Sequence, residues 1–197
     1  MKKGVEVITD LETARVLVDP MRREVVRLLA DRPMTENKLA EALGLSDPSV
    51  GHHLKILKQS GLIRIVREQA EEHGIVQKFY ETTAAVYLID GRGMPLEIER
   101  YFTPVRLERA LGIVSALSIA SKESRQLSTR DVEDFAKALD SAIIDVAHNH
   151  SRQRNEDREE IIRKMYRDAL MHLLKKPERL PETIRGLLVP TSKRKRS

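Results

Sequence analysis

From residue 19 the chain spaces its apolar positions for helices. In DPMRREVVRLLAD (19–31), Val25, Leu28 and Leu29 form one stripe, and Pro20 falls in the first turn, where no amide hydrogen bond is lost. RPM breaks the pattern. Thr35 is placed to cap ENKLAEALGL, where Leu39, Ala42 and Leu43 face inward, and Gly44 supplies the left-handed residue that ends it. Ser46 is placed to cap a third helix that tolerates Pro48 in its first turn, runs through Gln59 and stops at Gly61. From Leu62 the period shortens to two: LIRIVREQ alternates, AEEHG reads as a turn, and IVQKFYETT alternates again, which predicts a hairpin.

The second half is helical throughout. Residues 104–125 predict a very apolar helix carrying Leu107, Leu111, Val114 and Leu117. Ser128 and Asp131 have capping-box spacing before a helix with Val132, Phe135, Leu139, Ile143 and Val146. Residues 156–176 repeat the stripe with Ile162, Met165, Ala169 and Leu173. Such stripes suit packing of helix on helix, including packing between subunits.

Three helices and a hairpin within residues 19–83 are the layout of a winged helix-turn-helix. The fold class expected is therefore mainly α with a small β-hairpin wing. The division expected is a winged helix-turn-helix domain over 1–90, a connection over 91–103 containing GRGMP, a helical dimerisation or effector region over 104–190, and a basic disordered tail over 191–197.

The formal net charge of +5 points to an acidic partner, but it is unevenly distributed. Residues 1–90 hold 13 Lys and Arg against 14 Asp and Glu, while the KRKR run near the C-terminus is purely basic. A nucleic-acid reading must rest on a local patch. One exists: within residues 46–67, Lys55, Lys58, Arg64 and Arg67 face only Asp47. The chain has no cysteine, which excludes disulfides, thiolate metal sites and cysteine nucleophiles. With no apolar leader and no apolar run long enough for a transmembrane helix, the expected location is the cytoplasm, away from membranes.

Two-helix DNA readers need a small residue at the helix crossing, a turn residue free to adopt positive φ, and an apolar anchor on the second helix. Ala40, Gly44 and Val50 occupy those roles. Together with SDPSVGHHLK, ILKQSGLI and the alternating wing, this stretch resembles the ArsR-type winged-helix transcriptional regulators over roughly residues 15–90. The length and helical second half are more similar to an archaeal branch of that superfamily, including the archaeal heat-shock regulator, than to a minimal metal sensor. The resemblance implies a homodimeric regulator of double-stranded DNA, a repressor, with pseudopalindromic target sites.

In that arrangement the third helix enters the major groove by its N-terminal end, bringing Ser46, Asp47, Pro48, Ser49, Gly51 and His52 nearest the bases. Lys55, Lys58, Arg64 and Arg67 are the expected phosphate contacts, and on the wing Arg67, Gln69 and Lys78 are placed to flank a minor groove. Asp47 either accepts from a cytosine amino group or favours the helix N-terminus, and the dipole reading is preferred. The acidic predicted turn EEHG would repel phosphates, which counts against insertion of the wing.

The adjacent pair His52–His53 has three readings. Neighbouring helix residues point about 100° apart, so the pair is poorly arranged to chelate one metal. His53, beside the Val50–Leu54–Leu57 stripe, is expected to pack at the helix junction with one nitrogen bonded to backbone or phosphate; His52 is the expected DNA contact. A second cluster, Asp145, His148 and His150, has candidate metal ligands, with His150 requiring the helix to fray. The plainer reading is two solvent-facing histidines favoured by a helix C-terminus, so neither metal nor other cofactor is expected.

No P-loop, G-x-G-x-x-G, H-E-x-x-H or G-x-S-x-G sequence occurs, and catalysis is not expected. The rivals to a DNA-binding repressor are a winged-helix protein-interaction module and a metal-responsive repressor. No small-molecule effector is indicated.

Overall fold

A computed structural model describes residues 2–70, 76–121, 127–152 and 157–188. The chain forms two compact units: Met1–Ile98 with Ala147–Ile162, and Glu99–Val146 with the residues from Arg163 onward. The helical region read over 104–190 is thus divided between them, because Ala147–Ile162 groups with the first unit.

The first unit runs β1 (Lys3–Ile8), α1 (Leu11–Val16), α2 (Pro20–Asp31), β2 (Met34–Thr35), α3 (Glu36–Leu43), α4 (Asp47–Gln59), β3 (Ile63–Ala70), β4 (Val76–Thr82), β5 (Ala84–Ile89) and α5 (Leu96–Glu99). The expected three helices and hairpin are present. Asp19 caps α2 by accepting from the Arg22 amide at 3.0 Å, and Thr35 Oγ1 caps α3 by accepting from the Lys38 amide at 3.4 Å. Burial pushes the Asp19 carboxyl up, but the Arg22 amide and the nearby positive charges outweigh it and leave the pKa lowered. Val25, Leu29, Leu39, Val50, Leu54, Leu57 and Ile63 make a core with no more than 2% exposure for any side chain.

Strands β3 and β4 pair antiparallel, with β2 on the other edge of β4. Pairing is regular through Ile65 opposite Tyr80, then a bulge at Val66 places Arg67 opposite Phe79. The bulge resets the alternation and leaves Val66 40% exposed. The expected turn falls mostly at residues 71–75, outside the described residues, and so does the KRKR tail.

Elements β1, α1, β2 and β5 were not expected. β1 pairs parallel with β5, Val5 opposite Val86 and Ile8 opposite Ile89, as a separate two-stranded sheet. Tyr87 secures it: its hydroxyl donates to the Leu62 carbonyl at 2.5 Å and accepts from the Thr83 and Ala84 amides at 3.0 Å. Burial raises the pKa of this phenol. The segment from residue 147 adds Ser151, whose carbonyl accepts from the Gly4 amide at 3.3 Å.

The second unit is helical: α6 (Thr103–Ser121), most of α7 (Thr129–His150), most of α8 (Arg158–Lys175), a 3-10 turn (Pro177–Arg179) and α9 (Glu182–Leu188). Phe135, Leu139, Ile143, Met165, Ala169 and Leu173 are buried, as their spacing requires. Ser128 and Asp131 form the expected reciprocal cap, with Ser128 Oγ accepting from the Asp131 amide at 3.1 Å and Asp131 Oδ2 accepting from the Ser128 amide at 3.0 Å. Asp131 also accepts from Thr183 Oγ1 at 2.8 Å, joining the start of α7 to α9. Along α6 the stripe divides: Val114 is buried, while Leu111 is 52% exposed.

Candidate nucleic-acid interface

The geometry of α3 and α4 follows from two glycines. Gly44 has φ 65°, its amide donates to Glu41 O at 3.3 Å, and the Leu45 amide donates to Ala40 O at 3.0 Å. These bonds close α3 and turn the chain within a few residues. Gly61, φ 74°, closes α4 in the same way, through its own amide to Lys58 O and the Leu62 amide to Leu57 O. Ala40 is 4% exposed and Val50 fully buried, as the small residue and the anchor of the crossing must be.

With Val50, Leu54 and Leu57 inward, α4 turns Asp47, Pro48, His52, Lys55, Lys58 and Gln59 to solvent, and leaves Ser49, Gly51 and His53 half-buried. Lys55 and Lys58 form no ion pair among the described residues. Two unpaired ammonium groups on one helix face bind phosphate oxygens well, and beside them His52 and Ser49 offer hydrogen-bonding groups.

The Ser46 side chain makes no capping hydrogen bond, contrary to expectation. Pro48 removes one of the amides such a cap would use, and the Ser49 and Val50 amides donate instead to the Ser46 carbonyl, at 3.0 and 3.1 Å. The Ser46 hydroxyl is left at an exposed position on the approach to α4.

Gly51 does not present an empty backbone position. A Cβ there would lie 2.6 Å from Glu36 Oε1, so the carboxylate of the first α3 residue lies over this part of α4. His53 is half-buried, with Nδ1 enclosed and no hydrogen-bond partner among the described residues. The expected backbone bond is absent at that nitrogen. Asp19 lies within electrostatic reach of the ring, and His52 meets it edge-on at a centroid distance of 6.0 Å.

On the wing the cations are held in different ways. Arg64 pairs with Glu81 at 3.2 Å. The Arg67 guanidinium stacks on Phe79, 3.8 Å from the ring centroid, which orients it without neutralising it. Lys78 is exposed and directly opposite Glu68.

Four residues of this surface were not singled out from the sequence: Glu36, Asn37 and Lys38 in the first turn of α3, and Gln59 on the outward face of α4. In two-helix readers the first helix crosses the backbone, so an exposed amide and ammonium at its start were a usable signal. Glu36 had none, because its approach to Gly51 is a tertiary feature.

The other cluster does not assemble. Helix α7 continues regularly to His150, which is 4% exposed, neither frayed nor facing solvent as expected, while His148 is exposed. Asp145 pairs with Arg179 at 3.7 Å. Among the described residues, no three His, Cys, Asp or Glu side chains are grouped to hold a metal ion. No helix among them is long and apolar enough to cross a membrane.

Residues 19–64 match the family model described as bacterial regulatory protein, arsR family. This covers α2, α3, α4 and the start of β3. The transcriptional repressor SdpR of Bacillus subtilis (strain 168) is 43% identical over 49 residues, 25% of this chain and 54% of that protein. The HTH-type transcriptional regulator KmtR of Mycobacterium tuberculosis is 43% identical over 58 residues, 29% of this chain and 45% of its own. The chain spans about half the length of these curated relatives. Among solved structures, reduced HlyU from Vibrio cholerae aligns at a TM-score of 0.31 and 18% identity, over 46% of this chain and 77% of that one.

Proposed function

We propose that this chain is a sequence-specific winged-helix transcriptional regulator, a repressor, that works in the cytoplasm as a homodimer on pseudopalindromic promoter DNA. The observation that carries the reading is the outward face of α4, where Lys55 and Lys58, unpaired among the described residues, stand exposed beside His52. Ammonium groups neutralise phosphates and fix register, while Ser49, His52 and Gln59 supply short polar contacts to base edges. Arg67, held on Phe79, and Lys78 extend the cationic surface along the wing. The regulator names of the partial relatives agree with this reading, and the helical second half fits the archaeal branch that the sequence resembles.

Dimerisation through the C-terminal helices is supported by α6. Val105, Leu111 and Ile119 are 53%, 52% and 80% exposed, and a Cβ on Gly112 would meet nothing within 4 Å. An apolar face of this kind, with small residues Gly112 and Ala116 between the larger ones, suits close approach of a second helix. Two α4 helices in such a dimer would meet successive major grooves about 34 Å apart, or a multiple of that spacing.

The test is selection of bound sequences from random duplexes, followed by titration at two salt concentrations. An enriched inverted repeat bound much more tightly than unrelated DNA is the expected result. Weak, steeply salt-dependent binding without a motif would overturn it and favour a protein-contact role.

A further inference from the structure

Glu36 combines three features that the DNA-binding reading does not use. It opens α3, yet its carboxylate reaches across to α4, where Oε1 lies 2.6 Å and Cδ 3.2 Å from the position a Gly51 Cβ would take. It is half-buried, and among the described residues it forms no hydrogen bond or ion pair. Its charge also reaches the wing, where, after burial, it is the next cause raising the Tyr80 pKa. The carboxylate therefore sits where α3, α4 and β4 come together, within the stretch of α4 that holds Ser49 and His52.

An unpaired carboxylate on a surface that approaches nucleic acid acts in two ways. It repels phosphate oxygens and so weakens non-specific binding. It also accepts a hydrogen bond only from a base amino group, which in the major groove means cytosine or adenine. Resting on the DNA-binding reading above, we propose that Glu36 is a specificity-determining residue of this surface, and that Gly51 serves by leaving room for its carboxylate rather than by touching DNA. A side chain at position 51 would displace the flexible end of Glu36 and leave the α3–α4 crossing in place, since the three atoms nearest to such a Cβ all belong to the Glu36 carboxylate.

The experiment repeats the duplex selection with wild type, Glu36→Gln, Gly51→Ala and the double variant. Each is then titrated on the selected site and on unrelated duplex, and thermal unfolding of each is recorded. Glu36→Gln should unfold at the wild-type temperature, bind unrelated duplex several-fold more tightly, and lose roughly tenfold in discrimination through one altered position per half-site. Gly51→Ala should show the same altered position, and the double variant should add nothing to it. A Glu36→Gln motif and discrimination equal to wild type would overturn the inference while leaving the regulator reading intact. Equal losses on both DNA types with a lowered unfolding temperature would also overturn it, by showing a structural role. If wild-type protein itself enriches no motif, the regulator reading fails and this inference falls with it.

Discussion

Helices α4 and α6 treat solvent in opposite ways. Helix α4 buries Val50, Leu54 and Leu57 and exposes His52, Lys55 and Lys58. Helix α6 buries Ala110 and Val114, yet leaves Val105, Leu111 and Ile119 at least half exposed. A charged face in water is already satisfied and is offered to a partner at little cost. An apolar face in water forgoes about 25 cal/mol for each Å² left uncovered. The first surface is satisfied by water as it stands and suits an anionic partner; the second gains free energy when another apolar surface covers it. The two helices thus indicate what kind of partner each face takes before any partner is named.

The strongest way to break the α4 side is from beneath. Leu57 is fully buried, so Leu57→Ala should destabilise the first unit by about 2–5 kcal/mol and lose DNA binding with the fold. Chemical denaturation with DNA titration checks this; a stable variant that no longer binds would mean that Leu57 acts by positioning α4 rather than by holding the unit folded. On the α6 side, Ile119→Lys should leave each unit folded and weaken self-association by about 2 kcal/mol or more, read by sedimentation across a concentration series. An unchanged association constant would put the subunit contact elsewhere. Replacing Lys55 and Lys58 by Ala should weaken binding to specific and unrelated duplex alike and lower the salt slope by about 0.9 for each phosphate no longer neutralised. A slope that does not move would exclude them as phosphate contacts. Ser128→Ala, which removes a helix cap, should cost about 1 kcal/mol in the second unit and nothing in DNA affinity measured below its melting range.

These tests also mark how far the sequence could be followed. Val25, Leu39, Val50, Leu54 and Leu57 were legible because helical period and burial coincide in them, and Gly44 and Gly61 because only glycine takes those φ values without strain. The strand β1 was not legible, since its partner β5 lies about 80 residues away in sequence and parallel pairing leaves no local turn signal. Which side of α6 is buried within the chain was not legible, because the helix is apolar nearly all round and its pattern does not separate Val114 from Leu111. In the candidate interface the cations were legible as a local excess of charge, but the holding of Arg64 by Glu81 and Arg67 by Phe79 depends on strand register and a bulge. The position of Glu36 over Gly51 depends on the helix crossing, and one residue type at one position does not signal it.

The smallest effect concerns acid. Asp131 accepts from Ser128 Oγ at 2.7 Å and from Thr183 Oγ1 at 2.8 Å, and these bonds to the charged form, with that from the Ser128 amide, hold its pKa below the ordinary 3.8. A carboxyl whose folded pKa is depressed contributes stability that is fully present above its unfolded value and is lost as pH falls through the folded one. The second unit should therefore show no change from this source between neutral pH and about pH 5, and a progressive loss below 3.8. Asp10, Asp19 and Glu24 in the first unit also have lowered pKa values, so acid destabilises that unit as well and total stability alone does not isolate Asp131. The difference between wild type and Asp131→Asn does. It should be constant at neutral pH and shrink in acid, as protonation of the wild-type carboxyl makes the two chains alike. A difference that stays constant down to pH values well below 3.8 would mean that the charge on Asp131 contributes nothing to holding α7 and α9 together.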